Sequence, residues 1–286
     1  MRLLPSLAAL AVLLTPVLAC ATAVSVVAAE NVYGDVARQI GGRDVTVRSI
    51  LQNPDQDPHL FEVTPSAARA VSAADILVLN GLGYDPWMAT LLHATPRRGR
   101  IVLDAGALAH RKTGDNPHIW YDTTVMLRAA AALAGALQQA DPAHAAGYRQ
   151  RLAVFRQAMQ PVQARIAVLH ARLAGLTVTA TEPVFGDMLK ALGMTSRNMG
   201  FQLAVMNNTE PSASQVADFE TDLRQHRVRL LVYNSQAVDP IATHMRNLAV
   251  ASHIPVVGVT ETEPPGMTYQ AWMLAELDAV ARAVPD

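Results

Sequence analysis

Two short motifs of this chain place an imidazole on a proline-stiffened turn. They are Asp57-Pro58-His59 and Asn116-Pro117-His118, and each stands just ahead of a predicted helix. After the first motif, Thr64 and Pro65 are typical of a helix N-cap and a first helical residue. Loops on a rigid scaffold hold ligands, and neutral imidazole is the commonest protein donor to transition metals. The pattern therefore predicts one metal ion shared by both histidines, whereas either histidine alone would be typical of a turn or of a partly buried hydrogen-bonding residue.

Two carboxylates stand at equivalent places in the second half of the chain. Glu182 follows a predicted strand at 177–181, and Glu261 follows one at 254–260. The carboxyl ends of parallel strands face a common crevice in which ligands of α/β folds bind, so we expect these side chains to approach the histidines. Two neutral imidazoles and two carboxylates would neutralise a divalent cation and remove most of the cost of holding it away from water. Zinc, manganese and ferrous iron all suit this donor set.

Both acids also have a second interpretation. Glu182 stands before Pro183, where its carboxylate could instead cap the helix that follows. Glu263 comes two residues after Glu261, so one of the pair could bind metal while the other faces solvent. Glu261 is the closer of the two to the strand end, which favours it as the ligand.

Alternating strand and helix patterns position these residues in an α/β fold. Strands are predicted at 24–28, 45–51, 76–80, 100–103, 177–181, 228–234 and 254–260. The stretch at 141–173 has no strand signal and predicts one long helical segment, which Pro161 should kink or divide. We therefore predict two lobes, each with a mostly parallel central sheet flanked by helices, joined by a long linking helix. The predicted boundaries are 24–140 for the N-terminal lobe, 141–174 for the linking helix and 175–286 for the C-terminal lobe.

The N-terminus predicts export. A basic start at Arg2, an apolar stretch at 3–18 and small-residue cleavage sites near Ala19 and Ala23 match a secretory signal, which we place at 1–23. Cys20 is the only cysteine, which excludes an intramolecular disulfide and a thiolate metal cluster. Its setting loosely resembles a lipoprotein cleavage box, but the tether before the first strand would be short, so simple cleavage is favoured. We expect a periplasmic protein, because no later run is long enough for a membrane helix.

The bulk composition narrows the class of protein and of partner. A length of 286 residues with 51% hydrophobic and 16% charged residues excludes a disordered or fibrous chain. The net charge of −1, without long runs of charge, argues against a nucleic acid or an anionic membrane as the main partner. The sequence also has no phosphate-binding glycine loop, no nucleophile elbow and no two-histidine helical zinc motif, so we predict a binding protein and not an enzyme.

The chain resembles the zinc and manganese substrate-binding proteins of bacterial ABC transporters over essentially its whole mature length. The segments that carry the resemblance are Asp57-Pro58-His59, Thr64-Pro65-Ser66, Asn116-Pro117-His118-Ile119-Trp120, Thr181-Glu182-Pro183-Val184-Phe185-Gly186, Asn208-Thr209-Glu210-Pro211-Ser212 and Thr260-Glu261-Thr262. The resemblance implies that His59, His118, Glu182 and Glu261 are the ligands, and that the linking helix allows little hinge bending. It further implies a monomeric receptor that delivers its metal ion to an ABC permease in the inner membrane.

The chain departs from the family pattern at places that bear on the metal. Zinc-binding members usually carry histidine where this chain has Glu182, and manganese-binding members often carry glutamate there. The fourth ligand of the family is usually aspartate, where this chain has Glu261. Between the first two ligands only His93 and His110 occur, so the histidine-rich loop of many zinc members is absent. The affinity order of divalent metals slightly favours zinc, whereas more oxygen ligands favour manganese, and the sequence leaves the choice open.

Two other functions compete with this interpretation. In a zinc-dependent hydrolase, both histidines and one glutamate would bind zinc while the other glutamate acts as general base. A receptor for a metal chelate would need a crevice lined by aromatic or cationic side chains.

The remaining polar residues are predicted to have other roles. The side chains of Asn207, Asn208 and Glu210 are predicted to accept a hydrogen bond from the second ring nitrogen of the metal-bound histidines. The histidines predicted to lie at helix ends or in solvent are His144, His170, His226, His244 and His253.

Overall fold

The computed structural model describes residues 23–52, 61–237 and 239–285. The N-terminal lobe is formed by β1 (Val24–Glu30), α1 (Asn31–Gly41), β2 (Val45–Leu51), α2 (Pro65–Ala73), β3 (Ile76–Leu79), α3 (Pro86–Ala94), β4 (Ile101–Asp104) and α4 (Ala105–Leu108). Three helices follow, namely α5 (Thr123–Ala140), α6 (Ala145–Ala158) and α7 (Gln160–Leu173). The C-terminal lobe is formed by β5 (Thr177–Ala180), α8 (Gly186–Ala191), β6 (Thr195–Arg197), α9 (Met199–Met206), α10 (Ala213–Arg224), β7 (Leu231–Asn234), α11 (Pro240–Ala251), β8 (Val256–Val259) and α12 (Tyr269–Ala283). The predicted α/β class with two lobes is therefore confirmed.

The two sheets have the same strand order. It is β2-β1-β3-β4 in the first lobe and β6-β5-β7-β8 in the second, and every neighbouring pair is parallel. The central strand β3 is apolar and buried throughout, as expected for a strand covered by helices on both faces. In each sheet the strand order reverses beside the first strand, between β1 and β3 and between β5 and β7. Ligands of open α/β sheets bind at the carboxyl ends of strands at such a point.

The segment between the lobes consists of more than one helix. A 3₁₀ turn at Pro142–His144 precedes α6, and a single residue, Met159, separates the end of α6 from the start of α7. Pro161 lies in the first turn of α7, where the missing amide donor costs nothing, so the division predicted at this proline is confirmed.

One hydrophobic cluster extends through both lobes. It includes Val26 and Ile76 of the first sheet, Val178 and Val232 of the second, and Phe155 of α6. Because close-packed side chains transmit displacement, a core shared in this way opposes large independent movement of the lobes. Among the described residues, no helix combines the length and the apolar character that a bilayer crossing requires.

Candidate metal-binding site

His118 is fully buried in the loop before a 3₁₀ turn at Ile119–Tyr121. Its Nδ1 lies 2.7 Å from Oδ1 of Asn116, which also accepts the His118 backbone N–H at 3.2 Å. Because the amide oxygen can only accept, this contact places the ring proton on Nδ1. The geometry therefore assigns the lone pair to Nε2, the nitrogen that could bind a metal ion.

Glu261 follows β8 in the other lobe and is buried. Its Oε2 accepts a hydrogen bond from the Tyr84 hydroxyl at 2.8 Å, and its Oε1 accepts one from Nδ2 of Asn234 at 2.6 Å. The His118 Nε2 lies 3.4 Å from Glu261 Oε2. A ring nitrogen of one lobe and a carboxylate of the other thus meet away from solvent, as the sequence predicted for the carboxyl ends of the strands.

Glu182 is buried at the end of β5, one residue after Thr181. It occupies the N-cap position of a 3₁₀ turn at Pro183–Phe185, but its side chain makes no capping hydrogen bond with that turn. No hydrogen-bonded cap is formed, whereas the dipole interaction of the alternative interpretation stays a prediction. The loop of Glu182 is tied to His118 indirectly, because Nδ2 of Asn116 donates to the carbonyl of Pro183 at 2.7 Å.

Glu263 is buried but belongs to a different environment. Its backbone N–H donates to Asn31 Oδ1 at 3.0 Å, and its carbonyl accepts from Asn31 Nδ2 at 2.7 Å. Burial, together with the nearby Asp35, raises the pKa of Glu263 to about 9, although Arg38 acts to lower it. The charged residues that act on this carboxyl, Asp35 and Arg38, belong to α1. The Glu261 carboxylate instead lies beside the His118 ring and accepts a hydrogen bond from Tyr84, whose ring also contacts that of His118.

The four predicted ligands are described to different extents. His118 and Glu261 are in contact, Glu182 lies at the equivalent strand end, and His59 falls outside the described residues. Within the described ranges, no three histidine, cysteine or acidic side chains are grouped as a metal cluster. Beyond His59, the side chain of Thr64 accepts from the Ala67 N–H at 3.2 Å, so the predicted N-cap of α2 is confirmed.

Several residues that hold the site were not predicted from sequence. Tyr84 and Asn234 hold Glu261, and Asn116 holds His118. Asn80, at the end of β3, donates to the Pro117 carbonyl at 2.8 Å and so anchors the turn before His118. The positions of the three asparagines could have indicated this role. Asn80 stands directly after β3, Asn234 is the last residue of β7, and Asn116 begins the second histidine motif.

The polar segment predicted to accept a hydrogen bond from the metal histidines is not the partner of His118 Nδ1, which contacts Asn116. Asn207, Asn208 and Glu210 are exposed at the end of α9, and the Asn207 side chain donates to the carbonyl of Leu203. Asn116 fills this role for His118. Three other histidines contact partners that belong to none of the proposed ligands: His144 contacts Asp141, His170 the Ala191 carbonyl, and His244 Glu220.

Aromatic rings form the wall behind His118. The ring centroids of Tyr84 and Trp120 lie 5.8 Å and 5.4 Å from that of His118, both in edge-to-face arrangements. This wall lowers the local dielectric constant, which strengthens attraction between a cation and the carboxylate beside it. The arrangement suits capture of a divalent cation.

Comparison with known proteins gives relatives of one kind over most of the chain. A putative metal-binding protein from Treponema pallidum is 23% identical over 284 residues, covering 90% of this chain and 86% of the relative. The manganese ABC transporter substrate-binding lipoprotein PsaA from Streptococcus anginosus is 22% identical over 277 residues, covering 91% and 88%.

Solved structures share the fold. The periplasmic zinc-binding protein TroA from Treponema pallidum superposes with a TM-score of 0.77 at 18% identity, covering 92% of this chain and 99% of that one. The protein FpvC from Pseudomonas aeruginosa, solved in complex with Mn²⁺, superposes with a TM-score of 0.76 at 18% identity, covering 92% and 98%. Residues 26–283 match the family described as zinc-uptake complex component A, periplasmic. The chain belongs to this family of metal ABC transporter substrate-binding proteins.

Proposed function

We propose that this chain is an exported receptor that captures one divalent transition metal ion, zinc or manganese, and delivers it to an ABC permease of the inner membrane. The observation that carries the proposal is the buried contact of His118 with Glu261, which joins the two lobes at the carboxyl ends of their strands. Membership of the family supports it.

The proposed ligands are His59, His118, Glu182 and Glu261. Two imidazoles and two carboxylates make the loaded site neutral, which lowers the cost of burying the ion. Glu261 is favoured over Glu263 because its oxygens are held by Tyr84 and Asn234 beside the His118 ring.

We favour zinc slightly over manganese as the cargo. The general affinity order of nitrogen and oxygen sites places zinc well above manganese. The two carboxylates act in the opposite direction, because added oxygen donors suit manganese. Relatives with each metal in their names occur, namely TroA with zinc and PsaA with manganese.

A zinc hydrolase built on the same residues is the alternative that we set aside. Such an enzyme needs an open coordination position for water, whereas a capture site is closed by protein ligands. No contact among the described residues favours the hydrolase, and the relatives are transporter components. We propose that the protein is not an enzyme.

We propose that the chain is exported to the periplasm as a monomer after removal of residues 1–23. Several relatives are named lipoproteins. Lipid attachment at Cys20 is therefore the alternative to simple cleavage, and the intact mass of the mature N-terminal peptide distinguishes them.

The proposal is tested by the metal content of the protein from its exported compartment, followed by competitive titration of the stripped protein with zinc and manganese. We expect one ion per chain. His59→Ala and Glu182→Ala should each weaken binding by orders of magnitude with an unchanged circular dichroism spectrum, while the surface control His170→Ala should not. Absence of metal binding, or wild-type affinity in both ligand variants, would contradict the proposal.

A further inference from the structure

A small cavity lies in the C-terminal lobe at the carboxyl ends of β5 and β7. Its volume is about 40 Å³, and α11 forms one of its walls. Six polar residues line it, namely Thr181, Tyr233, Asn234, Ser235, Thr243 and Arg246. None of the described residues of the lining is acidic. The cavity is therefore polar without carrying negative charge of its own.

The positive charge of the lining comes from Arg246 on α11, which is partly buried. Its guanidinium carbon lies 5.2 Å from the centroid of the Tyr233 ring, so an aromatic face holds the cation from one side. In the described part of the chain, Arg246 forms no ion pair and donates no hydrogen bond. Because a guanidinium has five N–H donors and no acceptor, this side chain calls for oxygen atoms in the cavity.

Acidic residues on the neighbouring helices have other partners. Asp239, the N-cap of α11, accepts the Ala242 N–H at 2.8 Å. Glu220 of α10 pairs with Arg224 at 3.0 Å and contacts the His244 ring at 2.8 Å. The charge of Arg246 therefore stays available to a ligand in the cavity.

Hydroxyl groups complete the set of donors. Thr181 is buried, and its Oγ1 accepts the Asn234 N–H at 3.3 Å. Within the described ranges its own hydroxyl hydrogen has no acceptor, and the same is true of the hydroxyls of Tyr233 and Thr243. Buried polar groups in proteins are normally hydrogen-bonded. The cavity thus presents one guanidinium and three hydroxyl groups with hydrogens to donate.

These donors and the size of the cavity define the class of ligand. Guanidinium and hydroxyl groups form charge-assisted hydrogen bonds with oxygen atoms that carry negative charge, whereas a metal cation would be repelled by Arg246. The cavity holds about three water molecules, since one needs roughly 10–15 Å³. This volume suits a small inorganic oxyanion and is too small for a metal chelate.

The cavity adjoins two of the proposed metal ligands. Thr181 directly precedes Glu182, and Asn234 donates from Nδ2 to Glu261 Oε1 at 2.6 Å. Without metal, the negative charge of these carboxylates opposes an anion in the cavity, and a bound divalent cation removes that repulsion. Each ligand should therefore strengthen the binding of the other, and by the same factor.

We propose that this cavity, the oxyanion pocket, binds a small inorganic oxyanion together with the cargo metal ion. Its donors are Arg246 and the hydroxyls of Thr181, Tyr233 and Thr243. The pocket itself does not depend on the proposed function. Its coupling to the cargo rests on that function, because it requires a metal ion beside the pocket.

The probe is sulfate, titrated calorimetrically into the stripped protein and into the zinc-loaded protein. Sodium chloride keeps the ionic strength constant, so that screening is the same in every sample. Zinc affinity is measured by competition with a chelator in chloride and at saturating sulfate. The test variant is R246Q. The control is R282Q, which removes the same charge from an exposed arginine of α12 outside the pocket, and circular dichroism shows that both variants are folded.

We expect the zinc-loaded wild-type protein and R282Q to bind one sulfate per chain, roughly tenfold more tightly than their stripped forms do. Their zinc affinity should rise by the same factor when sulfate replaces chloride. R246Q should bind sulfate at least roughly tenfold more weakly, because it loses charge-assisted hydrogen bonds, and its zinc affinity should no longer respond to sulfate.

Three results would each overturn the oxyanion pocket: no sulfate binding by the zinc-loaded wild-type protein, wild-type sulfate affinity in R246Q, or an equal loss in R282Q. Tighter sulfate binding by the stripped than by the loaded protein would overturn the coupling. A wild-type protein that binds sulfate through Arg246 but binds no metal ion would support the pocket and contradict the proposed function alone.

Discussion

His118 Nε2 lies 3.4 Å from Glu261 Oε2, although the two residues belong to different lobes and both are buried. The contact depends on partners that fix each side chain separately. Asn116 holds the ring through Nδ1, while Tyr84 and Asn234 hold one carboxylate oxygen each. A site fixed in this way is organised before its cargo arrives, which reduces the ordering cost of binding.

Replacement of Glu261 by glutamine should lower metal affinity by at least roughly 100-fold, since an anionic ligand becomes a neutral amide of the same shape. The matched control is Glu263→Gln, two residues away. The Glu263 carboxyl is influenced by Asp35 and Arg38 of α1, so its replacement should change affinity less than threefold, by about 0.6 kcal/mol or less. Titration with zinc measures both, and the opposite ranking of the two variants would identify Glu263 as the ligand.

Asn116→Ala should weaken metal binding by roughly 10- to 100-fold, the usual effect of removing a partner that orients a metal-bound histidine. The side chain fixes Nδ1 of His118 and also donates to the Pro183 carbonyl beside Glu182. Its loss therefore loosens two proposed ligands together. Asn207→Ala is the control, because that exposed side chain donates to the Leu203 carbonyl. Equal affinities of the two variants would contradict a positioning role for Asn116.

Many of the secondary-structure elements could be predicted from the sequence, because the patterns that indicate them are local. Strand β2 has the predicted bounds, and the Thr64 cap with Pro65 marks the start of α2. Apolar runs and capping residues act within a few positions, so a single sequence shows them. The placement of carboxylates after strands also follows from the parallel sheet alone.

The partners of those carboxylates could not be found in this way. Tyr84 and Glu261 meet only after both lobes have folded, and no pattern within either segment reports the contact. Strand β6 is polar and only three residues long, at the edge of its sheet. It lacks the apolar alternation that predicts strands, and one of its three side chains, Arg197, forms an ion pair with Asp222.

Glu276→Gln should make stability less dependent on pH. Burial raises the pKa of Glu276 from its ordinary 4.5 to about 8, although hydrogen bonds from Tyr121, Trp272 and the Thr260 N–H lower it. Between these values the folded chain holds a proton that the unfolded chain has lost. The contribution of this carboxyl to stability is thus complete below about pH 4.5 and is lost as the pH rises towards 8.

The glutamine imitates the protonated acid. The free energy of unfolding of the variant should therefore increase relative to that of the wild-type protein as the pH rises, by an amount approaching about 1.4 kcal/mol per pH unit. Urea denaturation at a series of pH values measures the difference in the free energy of unfolding. Parallel curves for the two proteins would show that Glu276 has an ordinary pKa.

Asp222→Ala should destabilise the C-terminal lobe by about 3 kcal/mol, because it removes the buried partner that holds β6 in place. Asp222 is fully buried on α10 and accepts from Arg197 of β6 at 2.6 and 3.1 Å. Asp218, one turn earlier on the same helix, is exposed, so Asp218→Ala should cost less than about 0.5 kcal/mol. Thermal unfolding of the two variants checks the prediction. Similar losses in both would mean that the cost comes from α10 itself and not from the contact that anchors β6.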